Sequence, residues 1–389
     1  MKRIILHVDM DNYFATVEEK YKPSLKKIPF AVCGNPEMRH NIVMAKNGLA
    51  KKAGVITGIS YTQARSICPN LGYVTADYSK YLTETGRVRG TYYKYSDLVI
   101  PYGLDESWID LTETVETMYE AAQLADVIRI EIMYSLGLSA SVGVSDNLIF
   151  SKLGSDYRKP NATTVVTGEN YRRIIWPLPV SDLLFVGKER AKTLSTIGIK
   201  TIGDIAGSQP KTLTNLLGKV GLSLWQYANG DDSAFKPDAG AIGSIGNTIT
   251  TPRDLYTDRE ASAIIYLLVS SVCARLRKHF LKACTVGINV KDNQFNRIVR
   301  QCSFKNPSDN IAFIFNQAYN LFKRHCTWNN PLRSIGVRVD NLYTVKWDQI
   351  SLLENDGHEI GMDIDERIKD LTRQFGKLEM EQAPMTKDW

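Results

Sequence analysis

No run of 18 apolar residues occurs anywhere in the 389 residues, so the sequence offers no helical membrane span and no membrane partner. The six cysteines, at 33, 68, 273, 284, 302 and 326, form no C-x-x-C pair and no short ladder, and the five histidines are scattered. That excludes the usual zinc spacings and a disulfide framework, and it fits a reduced, cytoplasmic chain. The opening residues "MKRIILHVDMD" carry two positive charges, but Asp9 and Asp11 interrupt the apolar run at once, so no secretory leader is expected. Internal repeats and low-complexity tracts are absent too, which argues against solenoid, propeller and disordered classes.

Charge is present in an uneven distribution. Residues 243–342 hold 14 Lys+Arg against 6 Asp+Glu, whereas residues 343–389 hold 6 against 11. The first 166 residues are nearly balanced, 19 against 18. A basic segment within a near-neutral chain fits a polyanionic partner, although a merely soluble basic surface would look the same.

Along the chain, "IILHV" reads as a strand ending at Asp9, and "FATVEEKY" as the start of a helix. A strand is expected at Phe30–Cys33, helices at 44–53 and 60–67, and a longer helix over "YLTETGRVRGTYYKYS". "LVIPYGL" reads as a strand, Thr112 to about Tyr134 as a helix with Glu113 and Glu116 in its first turn, and "LSASVGVS" as a period-two strand. "NLIFSKLGSDYRKP" is a helix stopped by Pro160. Residues 167–231 read as helices punctuated by glycine, and a Gly/Pro-containing connector follows. A βαββαβ pattern comes next, its first helix opened by a capping box of Thr257 and Glu260. Its closing strand alternates Ile335, Val337 and Val339 inward, and Arg333 and Arg338 are expected on the open face with Arg297 and Arg300 on a neighbouring strand. The acidic tail carries one expected helix at 363–375. Together these segments describe an α+β multidomain chain.

The stretch "YGLDESWIDL" sets Asp105 beside Glu106 within what otherwise reads as a strand. Neighbouring side chains of a regular strand point to opposite faces. Taken alone, the stretch could be a turn with two solvated charges. A bend after Pro101 and Gly103 would let both acids face one point, together with Asp9. Three carboxylates at strand ends suit a pair of Mg²⁺ ions, which take oxygen ligands and leave room for substrate phosphates. Lys159 and the group Lys46, Lys51 and Lys52 are suited to a triphosphate, or else lie on solvated helix faces. Tyr13 and Phe14, just after the first acid, could pack on a sugar or belong to the core.

The stretches "HVDMDNYFATVEE", "YGLDESWIDL", "LSASVGVSDNLIFSKLGSDYRKPN", "SIGNTITTPRDL" and "SIGVRV", in this order over roughly residues 3–342, resemble the Y-family (translesion) DNA polymerases of the DinB, or polymerase IV, group. The resemblance implies a right-hand polymerase. The palm would comprise residues 1–18 and 78–166, the fingers 19–77, and a helix–hairpin–helix thumb 167–231. A linker at 232–242, a βαββαβ little finger at 243–342 and the acidic tail at 343–389 would follow. It also implies a template-directed, low-fidelity polymerase that joins dNTP to a primer 3′-OH with two Mg²⁺ ions, or Mn²⁺ in their place.

By that resemblance Asp9 and Asp105 hold both metals, and Glu106 completes the site beside the primer end. Phe14 is the steric gate against ribose, with Tyr13, Lys51 and Lys159 in the nucleotide site. Asp11 is not a ligand. Gly187, Lys188, Gly218 and Lys219 of the thumb hairpins, with Arg297, Arg300, Arg333 and Arg338, would hold primer–template DNA. The peptide Gln349, Ile350, Ser351, Leu352 and Leu353 resembles a sliding-clamp ligand, and a monomer is expected. The chain departs from the pattern in two places. Gly48 and Lys51 stand where relatives carry Tyr and Arg, and Phe185 replaces the first glycine of a thumb hairpin. No proofreading exonuclease segment is recognised. A catalytically inactive DNA- and clamp-binding relative remains an alternative, although all three acids are present. A palm-type nucleotide cyclase also remains, although its "GGDEF" signature is missing.

Overall fold

A computed structural model of the chain describes residues 3–35, 41–235, 237 and 242–344. The expected clamp peptide and the expected tail helix lie outside these residues. The chain divides into two compact units, the first built from residues 1–33 and 42–239, the second mainly from 240–388.

The first unit begins with β1 (Ile5–Met10), α1 (Tyr13–Tyr21), β2 (Phe30–Cys33), β3 (Val43–Lys46), α2 (Gly48–Lys52), α3 (Tyr61–Ile67), β4 (Gly72–Thr75) and α4 (Tyr78–Tyr92). It continues with β5 (Val99–Tyr102), β6 (Glu106–Asp110), α5 (Met118–Glu131), β7 (Ala140–Ser145), α6 (Leu148–Tyr157) and β8 (Thr163–Val165). Five helices complete it: α7 (Tyr171–Ile174), α8 (Lys188–Ser195), α9 (Ile202–Gly207), α10 (Pro210–Leu217) and α11 (Lys219–Ala228).

Its main sheet has the order β5-β6-β1-β7-β8, with β1 central and antiparallel to both neighbours. All six β1 residues are buried because the sheet is covered on both faces. Ile4, Leu6, Val8 and Met10 join a core with Tyr13, Val17, Tyr81, Val88, Ala121 and Ile128. Ile5 and Trp108 join the opposite core, with Ile149, Phe150 and Leu153 of α6 and the apolar faces of the later helices. Gly143 of β7 sets how close α6 lies. A Cβ there would stand 1.8 Å from the Ser151 carbonyl oxygen and 2.5 Å from the Ser155 nitrogen, so any other residue would push the helix off the sheet. The second, smaller sheet has the order β3-β2-β4 and its own core around Ala31, Cys33, Val43, Ala64 and Leu71.

Several helix boundaries differ from the sequence reading, and α4 runs over Tyr78–Tyr92 rather than 81–96. Residues 43–46 are a strand paired with β2, and the helix starts only after Asn47, whose side chain accepts from the Ala50 amide. The helix expected from Thr112 starts at Met118. Thr117 and Glu120 form its capping box, so the acid of its first turn is Glu120 rather than Glu113 or Glu116.

The second unit follows the expected βαββαβ order: β9 (Ser244–Leu255), α12 (Asp258–Lys278), β10 (Leu281–Asp292), β11 (Arg297–Ser308), α13 (Ile311–His325) and β12 (Leu332–Thr344). The Thr257–Glu260 capping box is present. The sheet order is β11-β10-β12-β9, entirely antiparallel. Ile335, Val337 and Val339 are buried with Val286, Ile288 and Val290 under the apolar stripes of α12 and α13. Among the described residues of this unit, no helix covers the opposite face of the sheet.

Candidate active site

Asp9 and Glu106 are direct partners across the β1–β6 ladder, so they stand side by side on the face toward α6. Asp105 does not belong to the strand. β5 and β6 form a hairpin in which Tyr102 pairs with Glu106, and residues 103–105 are its loop, with Gly103 at φ +75°. Glu106 therefore opens the second strand rather than ending the first, and Asp105 escapes strand alternation because it lies in the turn. Its carbonyl oxygen accepts from the Met10 amide at 3.0 Å, which ties the turn to the end of β1. The two adjacent acids are thus both held near the end of β1, close enough for the Glu106 charge to act on Asp105.

Lys159 and Lys152 supply the positive charge here. Lys159 Nζ is 2.6 Å from Asp9 Oδ2 and 2.7 Å from Asp156 Oδ1. Lys152, on α6, pairs with Glu106 Oε2. Among the described residues no three His, Cys, Asp or Glu side chains are closed around one point as ligands. The acids nevertheless crowd. Burial, and then the neighbouring Glu106 charge, push both Asp9 and Asp105 above the usual carboxylate range. Burial acts upward on Glu106 too, but His7 and Lys152 outweigh it and hold that carboxyl low. Negative charge in excess of what two ammonium groups neutralise, presented on oxygen alone, fits hard divalent ions that arrive with phosphate and water ligands.

Asp11, two residues on, has a different use. Its carboxylate accepts from the Ser139 and Ser141 hydroxyls at 2.5 and 2.8 Å and from the Asn161 amide at 2.8 Å. It pins the loop that carries Lys159 and is occupied by those bonds.

The chain leaves β1 through Asn12 at φ 48° and enters α1 with Tyr13 and Phe14. Phe14 stacks on Tyr81 (ring centroids 4.2 Å apart, 12° between planes) and meets Tyr78 edge-on. Tyr13 corrects the sequence reading: it is 3% exposed, and its hydroxyl donates to the Tyr81 carbonyl at 2.7 Å. Its ring belongs to the core and is not free to pack on a sugar. In the smaller sheet, Lys51 is exposed on α2, and Lys46 on β3 is close enough to feel its charge. Gly48 has open space where a side chain would stand.

In the helical part, Gly187 precedes α8 and Gly218 precedes α11; both are exposed, with Lys188 and Lys219 the first residues of those helices. Phe185 keeps the left-handed conformation that glycine would give, at φ 68°. Its carbonyl accepts from Arg190 Nη1 at 2.6 Å.

On the sheet face away from the helices of the second unit a groove of about 620 Å³ is lined by Arg297 and Arg338, with Gly246, Gly287, Gly336 and Asp340 among its other residues. Arg300 also borders it but corrects the sequence reading: it pairs with the inward-facing Ile288, which puts its side chain on the face toward the helices. Arg338 is paired with Gly246 on one side and Gly287 on the other, so two residues without side chains flank it. Arg333 is not among the groove's lining residues. It lies at the register shift between Leu332 and Ser334, and its guanidinium sits over the exposed Phe295 ring at 5.2 Å. Strict alternation would give it the face of Ile335, and a bulge re-aims a side chain in this way.

His7, Lys152 and Asp156 were missed in the sequence. The signal was spacing: His7 is two residues before Asp9 on a strand, and Lys152, Asp156 and Lys159 recur at helical intervals.

Comparison with known proteins agrees with this geometry. Residues 8–156 match the impB/mucB/samB family, and residues 243–352 match the impB/mucB/samB family C-terminal domain. DNA polymerase IV of Acetivibrio thermocellus is 40% identical over 100% of this chain and 98% of its own length. DNA polymerase IV 1 of Bacillus subtilis is 33% identical over 87% of this chain and 82% of its own length. Among solved structures, a chimeric Y-family DNA polymerase superposes with a TM-score of 0.78 at 24% identity, covering 88% of this chain and 99% of that one.

Proposed function

We propose, from the premise that the chain belongs to the impB/mucB/samB family and is a Y-family DNA-directed DNA polymerase of the polymerase IV group, that its acids serve a two-metal nucleotidyl transfer. A primer 3′-OH attacks the α-phosphate of a dNTP, and pyrophosphate leaves. The observation that carries this is the pairing of Asp9 with Glu106 across two strands, with Asp105 in the adjoining turn. Asp9, Asp105 and Glu106 would hold the ions, Mg²⁺ in this reading. Such ions, when bound, stabilise the attacking and leaving oxygens together.

The chain's own side chains do the rest. Lys159 exchanges its carboxylate partners for the triphosphate, and Lys51, with Lys46 beside it, adds charge from the smaller sheet. Phe14, backed by Tyr81, excludes a 2′-hydroxyl. The thumb hairpins at Gly187–Lys188 and Gly218–Lys219 hold the duplex backbone, as does the groove of Arg297 and Arg338. Positioning and fixed charge supply the rate enhancement. Low-fidelity synthesis across damaged bases, a clamp contact through residues 349–353 and action as a cytoplasmic monomer belong to the same reading.

Primer extension with Mg²⁺ on undamaged and damaged templates is the test. The parent should extend both. Asp9→Ala, Asp105→Ala and Glu106→Ala should each abolish extension while primer–template binding stays largely intact. Near-normal extension by one of these variants would remove that acid from the site.

A further inference from the structure

His7 has no role in the mechanism above, yet it stands directly behind one of its acids. It is fully buried. As the second residue before Asp9 on β1 it shares the face toward α6, and its ring meets Trp108 edge-on with centroids 4.9 Å apart. Nδ1 is 2.8 Å from Ser155 Oγ, and Nε2 is 3.2 Å from Glu106 Oε2.

The hydrogen bonds around it are limited in number. Ser155 Oγ is also 2.7 Å from the Lys152 carbonyl oxygen. One hydroxyl has one proton. If the proton goes to the Lys152 carbonyl, Nδ1 of a neutral ring must be the donor, and Nε2 turns a bare lone pair on a carboxylate. If it goes to Nδ1, Nε2 carries hydrogen and faces Glu106 as a donor. An ionised Glu106 selects the second arrangement. Nε2 has no aligned hydrogen-bond partner, so the contact with Glu106 is the interaction open to it among the described residues. Lys152 takes the same oxygen, Oε2. A buried imidazole and a half-buried ammonium thus converge on one carboxylate oxygen, and among the described residues Oε1 has no such contact.

We propose that His7 is a positioning residue: anchored by the Ser155 hydroxyl, it holds Glu106 by Oε2 so that Oε1 is presented in one orientation to the ion and primer terminus. This rests on the assignment of Glu106 made above. Groups that orient ligating carboxylates carry a recognisable share of metal affinity and rate.

The test uses the full-length protein and three substitutions. His7→Phe keeps a ring against Trp108 and removes both nitrogens. His7→Gln restores an N–H but no ring. Ser155→Ala leaves His7 in place without its anchor. His7→Phe is expected to lower kcat about 10-fold, while KM for dNTP and Kd for primer–template stay within about twofold. Mn²⁺ binding to the primer–template complex, read from the electron paramagnetic resonance of free Mn²⁺ with a dideoxy-terminated primer, should weaken several-fold without any turnover. His7→Gln should recover most of both losses.

Parent-like kcat and Mn²⁺ affinity in His7→Phe would overturn the proposal. So would equal losses in His7→Phe and His7→Gln accompanied by falling melting temperature and weaker DNA binding, since that pattern marks a packing role. Should His7→Phe fail to fold, Ser155→Ala must lower kcat in the same sense, and a parent-like value would overturn the proposal by itself. A parent that extends no primer overturns the proposed function instead, and the Mn²⁺ titration still decides the role of His7.

Discussion

Phe14 owes its position to more than the backbone. Its ring is stacked on Tyr81, and Tyr81 is fixed because its hydroxyl donates to Glu18 at 2.9 Å and its carbonyl accepts from Tyr13. A gate held this way should not yield to a 2′-hydroxyl by rotating. Phe14→Ala is therefore expected to admit ribonucleotides while leaving dNTP incorporation largely in place. Single-nucleotide incorporation with matched dNTP and rNTP pairs measures this, and an unchanged preference would show that Phe14 is not the gate. Lys51 raises a different question, because it offers a point charge where an arginine would offer a fork. Nothing around it forbids the exchange: the residue is exposed, and its neighbour Gly48 looks onto open space. Lys51→Arg should lower KM for dNTP by about two- to fivefold, the yield of one improved charge-assisted contact. A KM that stays or rises would point to Lys46 as the group that reaches the phosphate.

At the level of elements, the site depends on how closely α6 approaches the sheet. Lys152, Ser155 and Asp156 ride on that helix and Lys159 on the loop beyond it, and the Gly143–Gly154 contact lets helix and strand meet. Gly143→Ala forces a methyl group onto the Ser151 carbonyl, an overpacking expected to destabilise the protein by about 1–3 kcal/mol. Because the shift moves the lysines from the acids, kcat should fall as well, at temperatures where the variant is still folded. Melting curves and primer extension at 20 °C separate the two effects, and a variant as stable as the parent would show that the helix is not held by this contact. Much of this arrangement was legible beforehand. Period-two and helical spacing fix β1, β7, α6 and the whole βαββαβ unit, and Asp9, Asp105, Glu106 and Lys159 are visible as chemistry near element ends. What the sequence conceals is long-range. Met44–Lys46 reads as the start of a helix because its strand partner, β2, lies more than ten residues back in the sequence. Arg333 shares the parity of the inward Ile335, and the register shift that instead seats it over Phe295 leaves no trace in composition. The tyrosine beside Phe14 turns inward for want of any local signal, its partners being Tyr81 and Thr85.

For the molecule as a whole, the proposed catalytic chemistry and the proposed grip on DNA lie on different stretches of the chain. The three acids lie in the first 166 residues, which are nearly balanced in charge, 19 Lys+Arg against 18 Asp+Glu. The basic excess lies in residues 243–342, where the sheet face away from the helices carries Arg297 and Arg338. Backbone contacts of that kind position a duplex without reading it. Each phosphate neutralised releases condensed counterions, so binding should weaken with salt by about 0.9 per contact on a logarithmic plot. Arg297→Ala is thus expected to weaken primer–template binding alike on unrelated sequences and to flatten the slope by about one contact. Arg338 will count for less. Its Nη2 is 2.6 Å from Asp340 Oδ1 and its Nε 2.8 Å from the same oxygen, so part of its charge is already spent. Removing the arginine exposes that carboxylate to the duplex, whereas removing the carboxylate frees the arginine. Asp340→Asn should accordingly tighten binding and steepen the salt dependence, the opposite of the arginine substitution. Titrations of labelled primer–template at several salt concentrations give both quantities at once. If Asp340→Asn and Arg297→Ala share the parent's slope, the groove does not touch phosphate, and the grip must be sought at the exposed helix starts around Gly187 and Gly218.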